Sequence, residues 1–354
     1  MNLESIDWNA LDRMRAAFLS GTAGATDYWL NESDLAAYDA TFAQRIGWKW
    51  DYVLKELKQR DWFPPPGDVL DWGCGSGVAS RAFLDLFGTE NVSALRVWDR
   101  STLAMSFAAR RAREKYSGLK VVAEAARTDL DFGVPPAVLI ISHVLTELTQ
   151  EQTEALATAA TQAECVIWVE PGTYETSLTL IAIRERLKQK FNIVAPCTHQ
   201  SRCGILSPEN ERHWCHHFAS PPQEIFMDSN WARFANMLGI DLRDLPLSFL
   251  VMDRRVAPSL PANAGRVIGH PRLYKAHASL LGCDAGGVSE RKLMKRSHPE
   301  EYRAAKKGLC PVLCEWNCLQ GDVVEIKPSC ASDHSEAVKE ISRGLSDSAS
   351  DTPG

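Results

Sequence analysis

Between Ala195 and Phe218 the chain places three cysteines, Cys197, Cys203 and Cys215, among four histidines, His199, His213, His216 and His217. Thiolate and imidazole are the side chains that hold soft and borderline metals, so this stretch is the first candidate for chemistry. The spacing C-x5-C-x11-C lacks the C-x2-C knuckle of a zinc finger. A closed site needs a fourth ligand. One of the four histidines could supply it, as could Cys283, far along the chain in LLGCDAGG. The plainer alternative is three unrelated buried thiols, but a Pro- and His-rich loop rarely buries cysteines for packing alone.

A second constellation lies upstream in DVLDWGCGSGVAS, an apolar strand ending at Asp71, then Gly73, Gly75 and Gly77, then a helix. Glycines at a strand-to-helix turn let a ligand approach the backbone beside a helix N-terminus. The next apolar run ends in Val97-Trp98-Asp99, which puts a carboxylate where ribose hydroxyls bind. The G-x-G-x-G spacing fits S-adenosylmethionine better than the G-x-G-x-x-G of dinucleotide enzymes. Asp129 could reach the adenine, or could be a helix cap or surface residue. SHVLTEL (142–148) and EPGT (170–173) follow the next strands and face the substrate position, yet neither matches an Asn-Pro-Pro-aromatic signature. No catalytic residue is assigned. Cys74 and Cys165 read as small apolar fillers.

Positioning these groups requires a scaffold, and its pattern is legible. Residues 1–63 read as an N-terminal helical region, stopped by Pro64-Pro65-Pro66-Gly67. From 64 to 255 the apolar runs DVLDW, ALRVW, LKVVA, AVLIIS and CVIWVE alternate with helical segments, which implies a parallel sheet covered on both faces. The Cys/His loop, 195–218, lies within that region. Residues 256–326 form a β-rich basic extension with a hairpin around Asp284-Ala285-Gly286-Gly287 and a short basic helix after Pro299. From 327 to 354 the composition reads as a disordered tail.

The composition of the 354-residue chain, 45% hydrophobic and 24% charged, is that of a soluble globular protein. With no apolar run of about 18 residues it has no membrane partner, and the lack of a leader pattern at its start leads to an expected cytoplasmic location. There the ten cysteines stay reduced. Net charge is −6, but residues 254–307 carry twelve Lys/Arg against four Asp/Glu. That asymmetry suggests a basic face for phosphates.

SHVLTEL, VEPGT, the P-C-x-H-x3-C stretch, WCHHF and GRVI…HPR…LLGC…KRSHPEEYRAAKK resemble, in order and over about residues 36–307, one family. It is the methyltransferase-like assembly factors of the small ribosomal subunit, the Rsm-type proteins of mitochondria and their bacterial relatives. The resemblance implies a seven-stranded, Rossmann-like S-adenosylmethionine-dependent methyltransferase fold and a role on small-subunit ribosomal RNA in which methyl transfer itself is doubtful. It also implies a [4Fe–4S] cluster on Cys197, Cys203, Cys215 and Cys283, with zinc as the competitor. An active methyltransferase of RNA or a small molecule, carrying structural zinc, is the alternative reading. One departure from the family stands out: GLCPVLCEWNCLQGD places Cys310, Cys314 and Cys318 on one face if helical, a possible extra metal site with Cys330.

Overall fold

The computed structural model describes residues 6–20, 28–124, 130–308 and 313–328. Three helices come first, α1 (Trp8–Ser20), α2 (Glu32–Ala40) and α3 (Phe42–Gln59). Asn31 caps α2 by accepting from the Asp34 N–H at 3.0 Å, which satisfies a donor the first turn would leave open. On α3, Trp50, Val53, Leu54 and Leu57 recur at helical spacing and are fully buried. That stripe faces the sheet, and burying each side chain contributes about 2 kcal/mol.

The expected alternation follows as β1 (Gly67–Trp72), α4 (Val78–Phe87), β2 (Val92–Trp98), α5 (Thr102–Lys115), β3 (Val121–Ala123), β4 (Val138–Ser142), α6 (Gln150–Ala159), β5 (Cys165–Pro171) and α7 (Tyr174–Leu187). Next come β6 (Asn192–Ala195), β7 (His217–Ala219), α8 (Ser229–Leu238) and β8 (Leu245–Asp253). The strand order is β3-β2-β1-β4-β5-β8-β6, seven strands as expected, with β7 pairing alongside β8. Strands β1 to β5 are parallel; β8 runs antiparallel between β5 and β6. Leu139, Ile140, Val166 and Ile167 are all 0% exposed. A sheet covered on both faces requires such unbroken apolar runs.

The basic extension is more than a hairpin. Strands β9 (Ala264–Leu273), β10 (His277–Asp284) and β11 (Gly287–Met294), helix α9 (Pro299–Lys306), then β12 (Leu313–Leu319) and β13 (Asp322–Pro328) build a closed barrel in the order β10-β11-β13-β12-β9. The anticipated hairpin is β10–β11, its turn held by the Gly286 N–H donating to Asp284 Oδ1 at 2.9 Å. The helical reading of the late cysteines is corrected. Leu313–Leu319 is a strand that turns Cys314 and Trp316 into the barrel core, with Cys318 packed against it. The i, i+4 spacing of the cysteines hid a strand whose buried positions alternate only in part with polar ones. Cys310, Cys330 and residues 329–354 of the expected tail lie outside the described residues, as does Asp129.

Candidate functional site

The strand order reverses between β1 and β4, the switch point where open parallel sheets bind ligands at their carboxyl ends. Asp71, Asp99, His143 and Glu170 all lie at those ends. Gly73 adopts φ 73° and Gly77 φ 79°, left-handed values that disfavour a side chain. A Cβ at Gly73 would meet Val144 at 2.7 Å, and one at Gly77 would meet Ala108 at 2.9 Å. The turn is therefore shaped by close packing as well as by its open face. Asp99 steadies it: Oδ2 accepts from the Gly75 N–H and Oδ1 from the Ser101 N–H, both at 2.9 Å.

Buried polar atoms around this turn are left over. Asp71 Oδ1, Ser76 Oγ, Trp29 Nε1 and Trp98 Nε1 are buried with no hydrogen-bond partner among the described residues. Unpaired buried polar atoms are costly, so a polar ligand here would relieve them. Burial raises the Asp71 carboxyl to about 6. Tyr28 and Trp29, ahead of α2, close over the crevice; the Trp29 ring stands 3.4 Å from a Cβ built on Gly75, and the Tyr28 hydroxyl donates to Glu147 at 3.4 Å. Burial pushes Glu147 up to about 7. The donors and acceptors fit a ribose-bearing ligand.

A second group of titratable residues lies at the end of β4, and its main member carries no sequence motif. Lys49 of α3 places Nζ 3.3 Å from His143 Nε2. Ser142 Oγ lies 3.2 Å from His143 Nδ1 and accepts from Trp50 Nε1 at 2.9 Å. Burial first, then the Arg45 charge, lowers Lys49 to about 7; burial and the nearby Lys49 charge also depress His143. His143 itself sits at φ 57°, uncommon for a residue other than glycine. Glu170 next to it accepts from Trp168 Nε1 at 2.7 Å and is raised by burial to about 7. Lys49 lies between two tryptophans in a helix, a place with no motif to find it by.

The four cysteines singled out by the sequence converge. Cys197, Cys203 and Cys215 line one cleft beside Arg184 and Ser248. Cys203 and Cys283 share an apolar cluster against which Cys215 packs. Burial raises Cys203 to about 11 and pushes Cys215 and Cys283 up as well, and each is raised further by other thiols of the set. Those three thiols, Cys203, Cys215 and Cys283, are therefore protonated, and loading with metal must displace their protons. Arg184 Nε donates to Cys197 Sγ at 3.2 Å. His217 Nε2 is 3.6 Å from Cys215 Sγ, and His199 Nε2 is 4.0 Å from Cys283 Sγ. Among the described residues no three His, Cys, Asp or Glu side chains are disposed to hold a single metal ion.

Beneath the cleft a buried charge network joins the sheet, the loop and the barrel. Glu56 of α3 accepts from Arg60 at 2.7 Å and from Arg266 of β9 at 2.8 Å. Both guanidiniums also donate to the Pro196 carbonyl, at 2.8 and 2.6 Å. Arg266 is thus a buried strut and no part of the basic face. Arg291 also turns inward, donating to Asp284 and lying over the Trp316 ring; Arg254 and Arg255 are bound to the Thr161 carbonyl and to Asp253. Lys275, Lys292, Lys295 and Arg296 remain exposed.

The strand order with its reversed next-to-last strand, and the glycine turn at the switch point, define an S-adenosylmethionine-dependent methyltransferase fold. The chain belongs to the family described as mitochondrial small ribosomal subunit Rsm22, whose model matches residues 35–310. No curated protein matches it significantly. Among solved structures it is similar to the magnesium protoporphyrin IX methyltransferase of Synechocystis PCC 6803, at 13% identity over 68% of this chain and 98% of that one, with a TM-score of 0.39. TrmK of M. capricolum matches at 8% identity over 59% and 70%, TM-score 0.33. Precorrin-6y C5,15-methyltransferase of Geobacter metallireducens matches at 13% over 57% and 86%, TM-score 0.35.

Proposed function

We propose that this chain binds S-adenosylmethionine in the glycine crevice and acts on the small ribosomal subunit, in assembly or translation, by holding its ribosomal RNA through the barrel. One observation carries this reading: a single family match, residues 35–310, spans the crevice, the cysteine cleft and the basic strands together. Asp99 holds the ribose, Asp71 and the glycine turn hold the remainder, and the unpartnered polar atoms there support a bound polar ligand. Calorimetry tests the crevice. Asp99→Ala should abolish S-adenosylmethionine binding, and unchanged affinity would reassign the pocket.

In this reading Cys197, Cys203, Cys215 and Cys283 hold a [4Fe–4S] cluster, for which four thiolates from two distant segments are a suitable donor set. The cluster supplies a cross-link between β10 and the loop ahead of β7. Anaerobically purified protein should be brown with broad visible absorbance, and Cys283→Ser should bleach it and lower the unfolding temperature of the barrel. Colourless protein carrying one zinc per chain would exclude the cluster.

The Lys49–His143 pair at the substrate side of the crevice favours a second reading, an active methyltransferase of RNA or a small molecule with structural zinc. Mass-spectrometric mapping of ribosomal RNA methylation in a deletion strain separates the two. A single missing methyl group supports an active RNA methyltransferase, and an unchanged map excludes it, leaving only a small-molecule substrate for the second reading.

A further inference from the structure

The barrel has a recognisable connectivity. Counting its own strands from one to five, the first pairs with the second and the fourth, the second with the third, and the third with the fifth. The third–fifth pairing is parallel through Lys292 and Asp322, the other pairings are antiparallel, and α9 stands between the third and fourth strands. This is the topology of the OB barrel, whose second and third strands, flanked by the first and last strand-connecting loops, form a face for oligonucleotides or oligosaccharides.

On that face this chain places groups suited to unpaired bases. The first loop, between β9 and β10, presents Tyr274, 48% exposed and stacked on His277 at 4.7 Å. Its backbone is fixed: the Tyr274 N–H donates to the His277 carbonyl at 2.8 Å, and its carbonyl accepts from the Tyr302 hydroxyl of α9 at 2.7 Å. At the last loop, between β12 and β13, Leu319, the final residue of β12, is 66% exposed. Both loops meet β11, because the Lys295 N–H donates to the Ala276 carbonyl and the Lys292 N–H to the Gly321 carbonyl, each at 2.9 Å.

Lys292 points outward: its neighbours Arg291 and Leu293 turn into the barrel, and its partner across the strand pair is Ser279. Lys275, Lys292 and Lys295 are exposed and make no ion pair among the described residues, while Glu290 close by is already paired with Arg272 and Arg212. The opposite half of the same face is covered, since Leu281, Cys283 and Val288 pack against Ile181 and Cys203. The open half is thus a short strip with aromatic and aliphatic tips rimmed by lysines. Aromatic platforms beside cationic side chains are what single strands need, since every base has a face to stack. A duplex hides those faces and would use the lysines alone.

We propose that the barrel binds a single-stranded RNA segment across β10 and β11, with a base stacked on Tyr274, Leu319 closing the opposite side, and Lys275, Lys292 and Lys295 on the phosphates. This rests on the RNA-binding reading above and specifies its ligand. The test is fluorescence anisotropy on the full chain with a labelled twelve-nucleotide uridine strand and a hairpin duplex of equal length. The single strand should bind more tightly. Tyr274→Ala should weaken it by roughly 5- to 150-fold with the salt slope unchanged, and Tyr274→Phe should restore it. Lys292→Ala with Lys295→Ala should instead reduce the salt slope by about two. Equal binding of both RNAs, or a silent Tyr274→Ala, overturns the single-strand assignment and leaves phosphate binding standing. No binding of either RNA overturns both.

Discussion

Lys49 shows how one residue can be illegible in the sequence and conspicuous in the fold. Burial, and after it the Arg45 charge, disfavours its charged form, so the folded state holds its proton less tightly, at about 7, than the unfolded chain at 10.5. The unfolded state therefore binds more protons across that window, and stability rises with pH between the two values. Relative to Lys49→Met, the wild-type chain should gain unfolding temperature as pH increases from 7 to 9.5 in calorimetric scans. Parallel curves for the two proteins would show that Lys49 is not held in this environment. Asp71, the glycines and Asp99 were legible because their spacing relative to a strand has a physical cause. Lys49 was not, because its role comes from a contact with His143, 94 positions away.

Among the elements, the parallel strands were readable because burial on both faces forces unbroken apolar runs. The last two barrel strands were missed for the opposite reason. In LCEWNCL the buried Leu313, Cys314 and Trp316 alternate only partly with polar residues, and three cysteines at helical spacing drew the reading toward a helix. The joint between sheet and barrel was invisible too, since Arg266 of β9 lies 210 positions from Glu56, which pairs with Arg60 at the end of α3. Their pairing is fully buried, so removing one partner leaves charges uncompensated. Glu56→Gln should cost about 3–5 kcal/mol, measured as a lowered denaturation midpoint with an unchanged slope. A loss below about 1 kcal/mol would place the pair in solvent, where ion pairs contribute little.

At the scale of the whole molecule, a ligand crevice and a basic barrel are fastened at one seam, where the four cysteines and the Glu56 network lie. The charge asymmetry along the sequence could not say which cations reach the surface, because charge counting does not separate Arg266 and Arg291, which brace the interior, from Lys292 and Lys295, which are exposed. The described residues contain no helix long and apolar enough to cross a membrane. On the function proposed above, this surface holds small-subunit ribosomal RNA. Crosslinking the tagged protein to RNA in growing cells, followed by sequencing of the attached fragments, tests it most directly. Small-subunit ribosomal RNA should dominate the fragments, and replacing Lys275, Lys292, Lys295 and Arg296 with Ala together should remove most of it. Fragments without enrichment in that RNA, or a yield unaffected by the four replacements, would show that the barrel surface does not hold it.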